Sequence, residues 1–452
     1  MGGLLPAGDA SEGVGRGRPS PWRRKLTAHS LHALNRNMGH PLVDARWEDG
    51  GGRLTLIYEN VAEGTPATHA VVIGVGGYPW LLGGAEAADP RLAEGMGQLS
   101  SPPASARAIA DWLVSSHADP AASLATVDLL LSDATGDRDY VRPDGTVFKG
   151  VELPDQAALK RAIRAWRVRC DSNPGNLALF FFCGHGVGRG FELAMLPRDF
   201  GSEPMQPFEH SVSFEGMKEA MRSCAATRQL FFVDACRVHS PNLMADYAAQ
   251  PDPVMAVRTP FTVGLRQSVY FATTSGAPAF GRPGRPSLFT ENLLKGLRGL
   301  GANDNRGEWW VETTGLQRAL TGLAEEFADE DDKGLQVPTS GEQTSFDFQR
   351  LAEPPVVPLY LHPTWTEEGE SPPDDLAAVA LHSEGAPVLD WPSPWADSPE
   401  CSWRGDRFRS DRAAGARYSW SVSFTDGRTM SSAPATLSPP FRIVEFPRDG
   451  LA

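Results

Sequence analysis

The chain has 452 residues, room for two or three domains at about 150 residues each, and its 41% hydrophobic and 22% charged composition is that of a globular protein. A formal charge of -14, with no basic stripe beyond Arg23, Arg24 and Lys25, excludes the balance that nucleic-acid binding needs, since phosphates are held by clustered Lys and Arg. No apolar run reaches the length of a signal-peptide core or a membrane helix, and five scattered cysteines without a CxxC pair favour reduced thiols, so a soluble cytoplasmic protein is expected.

Residues 1–20, rich in Gly, Pro, Ala and Ser, carry no apolar periodicity and read as disordered. Residues 21–41 suit a short basic helix, and "RLTLIYENV" alternates like a strand. From His69 the text changes. "HAVVIGVGGYPW" is a β-branched run ending in glycines, "SARAIADWLVSS" has helical spacing, "ATVDLLLSD" reads as a strand and "PDQAALKRAIRAWRV" as a helix. The strand "LALFFFC" follows, then a short strand "FELAML", the helix "FEGMKEAMRSC", the strands "QLFFVDAC" and "QSVYFATTS", and the helix "SLFTENLLKGL". Near-continuous apolar strands alternating with amphipathic helices predict a mostly parallel sheet covered on both faces.

A further helix over Thr313 to Ala328 precedes the acidic "DEDDKG", which reads as a boundary. Residues 351–400 contain ten prolines and behave as a linker or an irregular subdomain. "RYSWSVSFTDGRTM" and "PFRIVEF" are strand-like around an Asp-Gly turn. The expected division is therefore an N-terminal segment, partly disordered, over 1–67, an α/β domain over 68–335, a Pro-rich linker or irregular subdomain over 336–400, and a β-rich module over 401–452.

Two predicted strands end in reactive side chains, "FFFCGHG" at His185 and "QLFFVDAC" at Cys236, and parallel sheets keep their working residues just past such ends. A thiol with a free pKa near 8.5 needs an adjacent imidazole to act as a nucleophile at neutral pH. Gly186, lacking a Cβ, can turn its backbone N–H toward a bound carbonyl, and with the N–H of Cys236 it would form an oxyanion hole. A buried Cys alone is most often inert packing, and a His beside glycine alone is most often a loop residue. The pair points to chemistry because both follow aromatic-rich strands with one helix-bearing crossover between them.

Residues 69 to about 300 resemble the caspase-like cysteine peptidases, the clan of caspases, paracaspases and metacaspases, in which a His about 50 residues upstream of the Cys is a known spacing. "HAVVIGVGGY" is similar to the family's first strand, "FFFCGHG" to its His-Gly motif, "FFVDACR" to its nucleophile strand and "SLFTENLLKGL" to its closing helix. The resemblance implies a three-layer α/β/α sandwich and a Cys-His dyad, with Cys236 as nucleophile, His185 as acid and base, and Gly186 and Cys236 as oxyanion donors. Asp234 stands where caspases carry glutamine and where metacaspases and paracaspases carry an acid that selects Arg or Lys at P1. It alternatively orders its loop.

Ser105 replaces a second pocket acid and Pro278 a third, while Ser275, closing "YFATTS", counts with Asp234 and Ser105 among the implied S1 residues. Arg282 lies near the position of an arginine that serves acidic P1 residues in caspases. Arg258 and Arg266 are candidate autoprocessing sites by the same analogy. The resemblance implies limited proteolysis of a protein partner after Arg or Lys, in a bacterial stress or antiviral defence pathway. The alternative is a catalytically silent scaffold or sensor that binds a partner, and a regulatory partner protein fits either.

No cofactor is expected, although some metacaspases need calcium and the acidic "EEFADEDD" is otherwise a solvated face. "GVGGYPWLLGG" lacks the spacing of a phosphate loop, and Cys183 with His185 lacks the second pair of a metal site. Asp199 reads as a structural residue ordering a loop, and Trp309 and Trp310 as core or partner contacts.

Overall fold

The computed structural model describes residues 55–87, 95–189, 192–236, 251–273, 283–326, 338–365, 371–395, 398 and 400–448. The basic segment 21–41, the acidic stretch 329–334, and Ser275, Pro278 and Arg282 lie outside the described residues.

Runs that are apolar at nearly every position can be buried on both faces only inside a covered sheet, and that is where they lie. β1 (Leu56–Glu59), β2 (Ala67–Val75), β3 (Ser123–Ser132), β4 (Leu177–Gly184), β5 (Arg228–Ala235), β6 (Arg266–Phe271) and β7 (Thr339–Gln343) form a sheet of order β1-β3-β2-β4-β5-β6-β7. β3, β2, β4, β5 and β6 run parallel, while β1 and β7 pair antiparallel at the two edges. The segment 1–67 thus contributes an edge strand, and the α/β domain continues past the expected end at 335.

Helices cover both faces. α1 (Ser101–Ser116), α4 (Leu288–Lys295) and α5 (Thr313–Glu326) share a core with Leu179, Phe181, Leu230 and Phe232, and α2 (Gln156–Cys170) and α3 (Phe214–Met221) share the opposite core with Phe180, Phe182, Phe231 and Val233. Successive strand residues alternate between the two cores, as the period of two requires. Each fully buried phenylalanine contributes about 1.5–3 kcal/mol. The result is the expected three-layer α/β/α sandwich. Asp155, Ser213 and Ser287 start α2, α3 and α4, their side chains accepting from the N–H three residues on at 2.8, 2.9 and 3.0 Å.

Residues 336–400 are not a linker. Val356–Pro363 pairs with Arg407–Ala413 and Arg442–Phe446, and Leu376–Ser383 pairs with Ala386–Pro392 and Arg417–Phe424, so strands from both sides of residue 400 share two sheets. The prolines fit because of where they fall. Pro358 precedes Leu359, the first residue paired to the 442–446 strand, and Pro387 and Pro392 sit on an edge strand. Trp391 and Phe408, with ring centroids 5.5 Å apart, pack one sheet on the other. The Asp426–Gly427 turn closes its hairpin with Gly427 at φ 88°, and the N–H of Phe424 donates to the Arg428 carbonyl at 2.8 Å. Trp309 is a core residue, 7% exposed and packed beside Gly415.

Candidate active site

β4 and β5 are in parallel register from Leu177–Arg228 to Gly184–Ala235. The next residue of each chain is His185 and Cys236, so the two leave the sheet side by side at its carboxyl edge, where open α/β sheets carry their ligands. Cys183 and Asp234, two positions before them, also face each other. All four line a cavity of ≈ 300 Å³. None of the five cysteines is in a disulfide, and Cys236 is the one with partial exposure; the other four are buried.

His185 is 8% exposed and held on three sides. Its Nε2 lies 2.8 Å from the carbonyl oxygen of Gly97, a group that only accepts, so Nε2 carries the hydrogen and Nδ1 keeps the lone pair. Its backbone N–H donates to the Tyr78 hydroxyl at 2.8 Å, and the two rings lie 4.9 Å apart between centroids. Burial lowers the imidazole pKa to about 4, only partly opposed by the Gly97 carbonyl. The ring is neutral at neutral pH and has a free base nitrogen.

The glycines flanking it are required by close approach. A Cβ on Gly184 would lie 2.9 Å from the Tyr78 hydroxyl, and one on Gly186 would lie 2.7 Å from the Cys236 carbonyl oxygen and 3.0 Å from the Ala235 Cβ. Gly186 therefore runs directly against the chain that carries Cys236.

Asp234 is 3% exposed and lies beneath the cavity at the N-terminus of α4. Its Oδ2 accepts from the hydroxyls of Ser287 and of Thr290, the latter at 2.7 Å, and from the Cys183 thiol at 3.3 Å. Oδ1 receives no hydrogen bond from the described residues. Burial raises the carboxyl pKa, and these three donors oppose the rise. The Cys183 thiol is pushed up by burial and next by the Asp234 charge, so it stays protonated and donates.

Ser105, expected to line the pocket, instead lies fully buried on α1, off the cavity wall, where its hydroxyl accepts the N–H of Ser287 at 3.0 Å. Ser275 is outside the described residues. Arg266 is the first residue of β6, paired with Arg228 rather than placed on a loop, whereas Arg258 is exposed. The glycines of "GVGGYPW" are filled by protein: a Cβ at Gly76 would meet the Leu99 carbonyl at 2.2 Å, and one at Gly77 the Asp133 carbonyl at 2.7 Å. Asp199 accepts the Gln156 N–H at 2.9 Å and so ties its loop to the start of α2. Among the described residues no group of three or more His, Cys, Asp or Glu is placed to hold a metal ion, and no helix is long and apolar enough to cross a membrane.

Sequence reasoning missed Tyr78, Gly97, Ser287 and Thr290. Tyr78 was visible only as a break in a glycine-rich loop, and Ser287 and Thr290 only as a helix start. Nothing in the text relates Gly97 to His185, 88 residues away.

A sheet of this order, with a His-Gly turn and an Asp-x-Cys turn leaving neighbouring strands over one cavity, defines a caspase-type peptidase domain. The caspase domain profile matches residues 67–348, well over half of the sequence, and the chain belongs to that family of cysteine peptidases. It is 28% identical over 204 residues to the uncharacterized protein y4kE of Sinorhizobium fredii (strain NBRC 101917 / NGR234), a match covering 42% of this chain and 58% of that one. Among solved structures, protein GSU0716 from Geobacter sulfurreducens aligns with 14% identity and a TM-score of 0.37, covering 63% of this chain and 97% of its own. Caspase-1 from Spodoptera frugiperda aligns with 13% identity and a TM-score of 0.36, covering 63% and 90%.

Proposed function

We propose that the protein is a cysteine endopeptidase in which Cys236 and His185 form the catalytic dyad. The observation that carries this reading is the β4–β5 register, which brings the two residues to adjacent strand ends over one cavity. Nδ1 of His185 takes the Cys236 thiol proton as sulfur attacks the scissile carbonyl, and the backbone N–H groups of Gly186 and Cys236 receive the oxyanion. The imidazolium, stabilised through Nε2–H by the Gly97 carbonyl, returns the proton to the leaving amine. Water activated by the same nitrogen then hydrolyses the thioester.

Asp234 sets the preference for a basic P1 side chain in this reading. Its Oδ2 is committed to α4, and Oδ1 is the acceptor left for the substrate cation. A buried carboxylate whose second oxygen receives no hydrogen bond from the described residues favours a cation and opposes an acid. A limited cut in a partner protein, within a stress or antiviral response, is the setting that family membership suggests.

A fluorogenic panel with Arg, Lys or Asp at P1 tests both parts. Cleavage is expected after Arg or Lys and absent in Cys236→Ala; undiminished cleavage in that variant removes Cys236 as nucleophile, and a fully inert Cys236 with partner binding retained favours a silent scaffold. Asp234→Asn is expected to narrow the basic-over-acidic ratio of kcat/KM by about tenfold or more, since losing the partner of a buried charge costs several kcal/mol. An unchanged ratio would leave Asp234 as a helix anchor alone.

A further inference from the structure

The loops that hold His185 are themselves clamped by one side chain. The carboxamide of Gln98 grips the backbone of Tyr78 at both ends: its Oε1 accepts the Tyr78 N–H at 2.8 Å, and its Nε2 donates to the Tyr78 carbonyl at 2.8 Å and to the Leu82 carbonyl at 3.0 Å. Three of the four hydrogen-bonding sites of one amide are spent on a neighbouring loop. The residue before Gln98 is Gly97, whose carbonyl takes Nε2–H of His185, and the residue it grips is Tyr78, whose hydroxyl takes the N–H of His185. Backbone pairing reinforces the clamp, from Leu82 N–H to Met96 and from Leu99 N–H to Gly76, at 3.2 and 2.8 Å. The Tyr78 hydroxyl also donates to the Leu196 carbonyl at 3.2 Å, and the N–H of Leu196 donates to the His185 carbonyl at 3.1 Å.

We propose that Gln98 and Tyr78 are positioning residues that act as one unit: Gln98 locks the two loops together, and the locked loops present a phenol oxygen and a peptide carbonyl that fix the tautomer and the aim of His185. The inference rests on the reading of His185 as the base of Cys236. Geometry favours a positioning role over general loop stability. The carboxamide reaches no part of His185, yet both groups that hold the imidazole and its peptide are anchored within one residue of it. A backbone carbonyl is a weaker orienting partner than a carboxylate, so the tautomer depends on the carbonyl being held in place.

The variants are Tyr78→Phe, Gln98→Ala and Gln98→Glu, the last isosteric, retaining the acceptor for Tyr78 N–H and losing the two donated bonds. On the best peptide of the panel each is expected to lower kcat by about 10- to 100-fold, the scale of an ångström-sized misplacement, with KM within about twofold. The rate of Cys236 alkylation by iodoacetamide in the folded protein is expected to fall in step. The double variant Tyr78→Phe/Gln98→Ala should lose little more than the worse single one, as members of one unit do.

A rise in KM at constant kcat would make Gln98 a substrate contact and overturn the proposal. So would unchanged kcat and alkylation in variants that only melt earlier. Should Gln98→Ala fail to fold, Gln98→Glu and Tyr78→Phe carry the test. Should Cys236→Ala leave cleavage intact, the reading of Cys236 as nucleophile fails by itself, and the alkylation rates still decide whether Gln98 and Tyr78 aim His185 at the thiol.

Discussion

His185→Ala is expected to lower kcat by about 10²- to 10⁴-fold, the range contributed by a positioned acid–base group. Among the described residues no lysine or arginine lines the cavity to stabilise a thiolate, and Asp234 there is engaged by Ser287, Thr290 and Cys183, so in the proposed dyad the imidazole is the base that takes the proton of Cys236. Without it the proposed dyad has no base to accept the thiol proton as sulfur attacks. Burial sharpens the point. With the imidazole pKa lowered to about 4, the ring is neutral at rest, and in the proposed dyad it takes the proton as the carbon–sulfur bond forms. The sign of the pH dependence follows: as pH falls through about 4 the ring takes its proton from solvent and can no longer accept one from sulfur, so the acid limb of kcat/KM lies nearer 4 than the ordinary 6.5. Turnover of the preferred peptide by wild type and variant across acid pH measures both quantities. Activity retained in His185→Ala, or an acid limb centred at the ordinary histidine value, would contradict this account.

Asp119→Ala is expected to cost about 3–5 kcal/mol of stability, the loss seen when one member of a buried ion pair is removed. Arg228, at the start of β5, donates to Asp119 at 2.7 Å, with the side chains only 9% and 1% exposed. Its other hydrogen bonds go to carbonyls, Asp347 at 3.2 Å and Gly175 at 3.4 Å, which cannot balance the charge, and the Asp347 carboxyl acts on it only through space. The second Asp119 oxygen accepts the Ala121 N–H at 2.9 Å, so the residue also shapes the turn between α1 and β3. Because β5 delivers Cys236 at its far end, loosening its start threatens the register on which the proposed dyad depends. Asp119→Asn retains the shape and the acceptor and should lose less. Urea unfolding of the two variants reads the effect, and a loss under about 1 kcal/mol for Asp119→Ala would show the guanidinium to be satisfied by the carbonyls alone.

The sheet was legible because its strands are buried on both faces and therefore spell near-continuous apolar text, and because His185 and Cys236 follow such text directly. Two features hid the rest. The groups that orient His185 are a peptide carbonyl and a phenol from loops remote in sequence, and a carbonyl belongs to every residue alike, so Gly97 carries no compositional mark. The second is proline. Its density over 351–400 reads as a linker, since it removes ladder donors, yet Pro358 precedes the first residue paired to the 442–446 strand and Pro387 and Pro392 lie on an edge strand. The setting of Ser105 is hidden for a related reason: its place on α1 follows from spacing, whereas the direction of its hydroxyl, toward the Ser287 N–H, depends on α4, 182 residues away.

The carboxyl-terminal sandwich shares one apolar core with α1, α4 and α5, and the contact is tight: a Cβ on Gly322 of α5 would stand 3.3 Å from the Phe441 ring, and one on Gly299 2.5 Å from the Pro355 Cβ. An accessory that folds alone can be traded between hosts by recombination at a single crossover. Here such an exchange would leave bare hydrocarbon on both halves, so the last hundred residues can be inherited from another source only together with matching changes along the helices they cover.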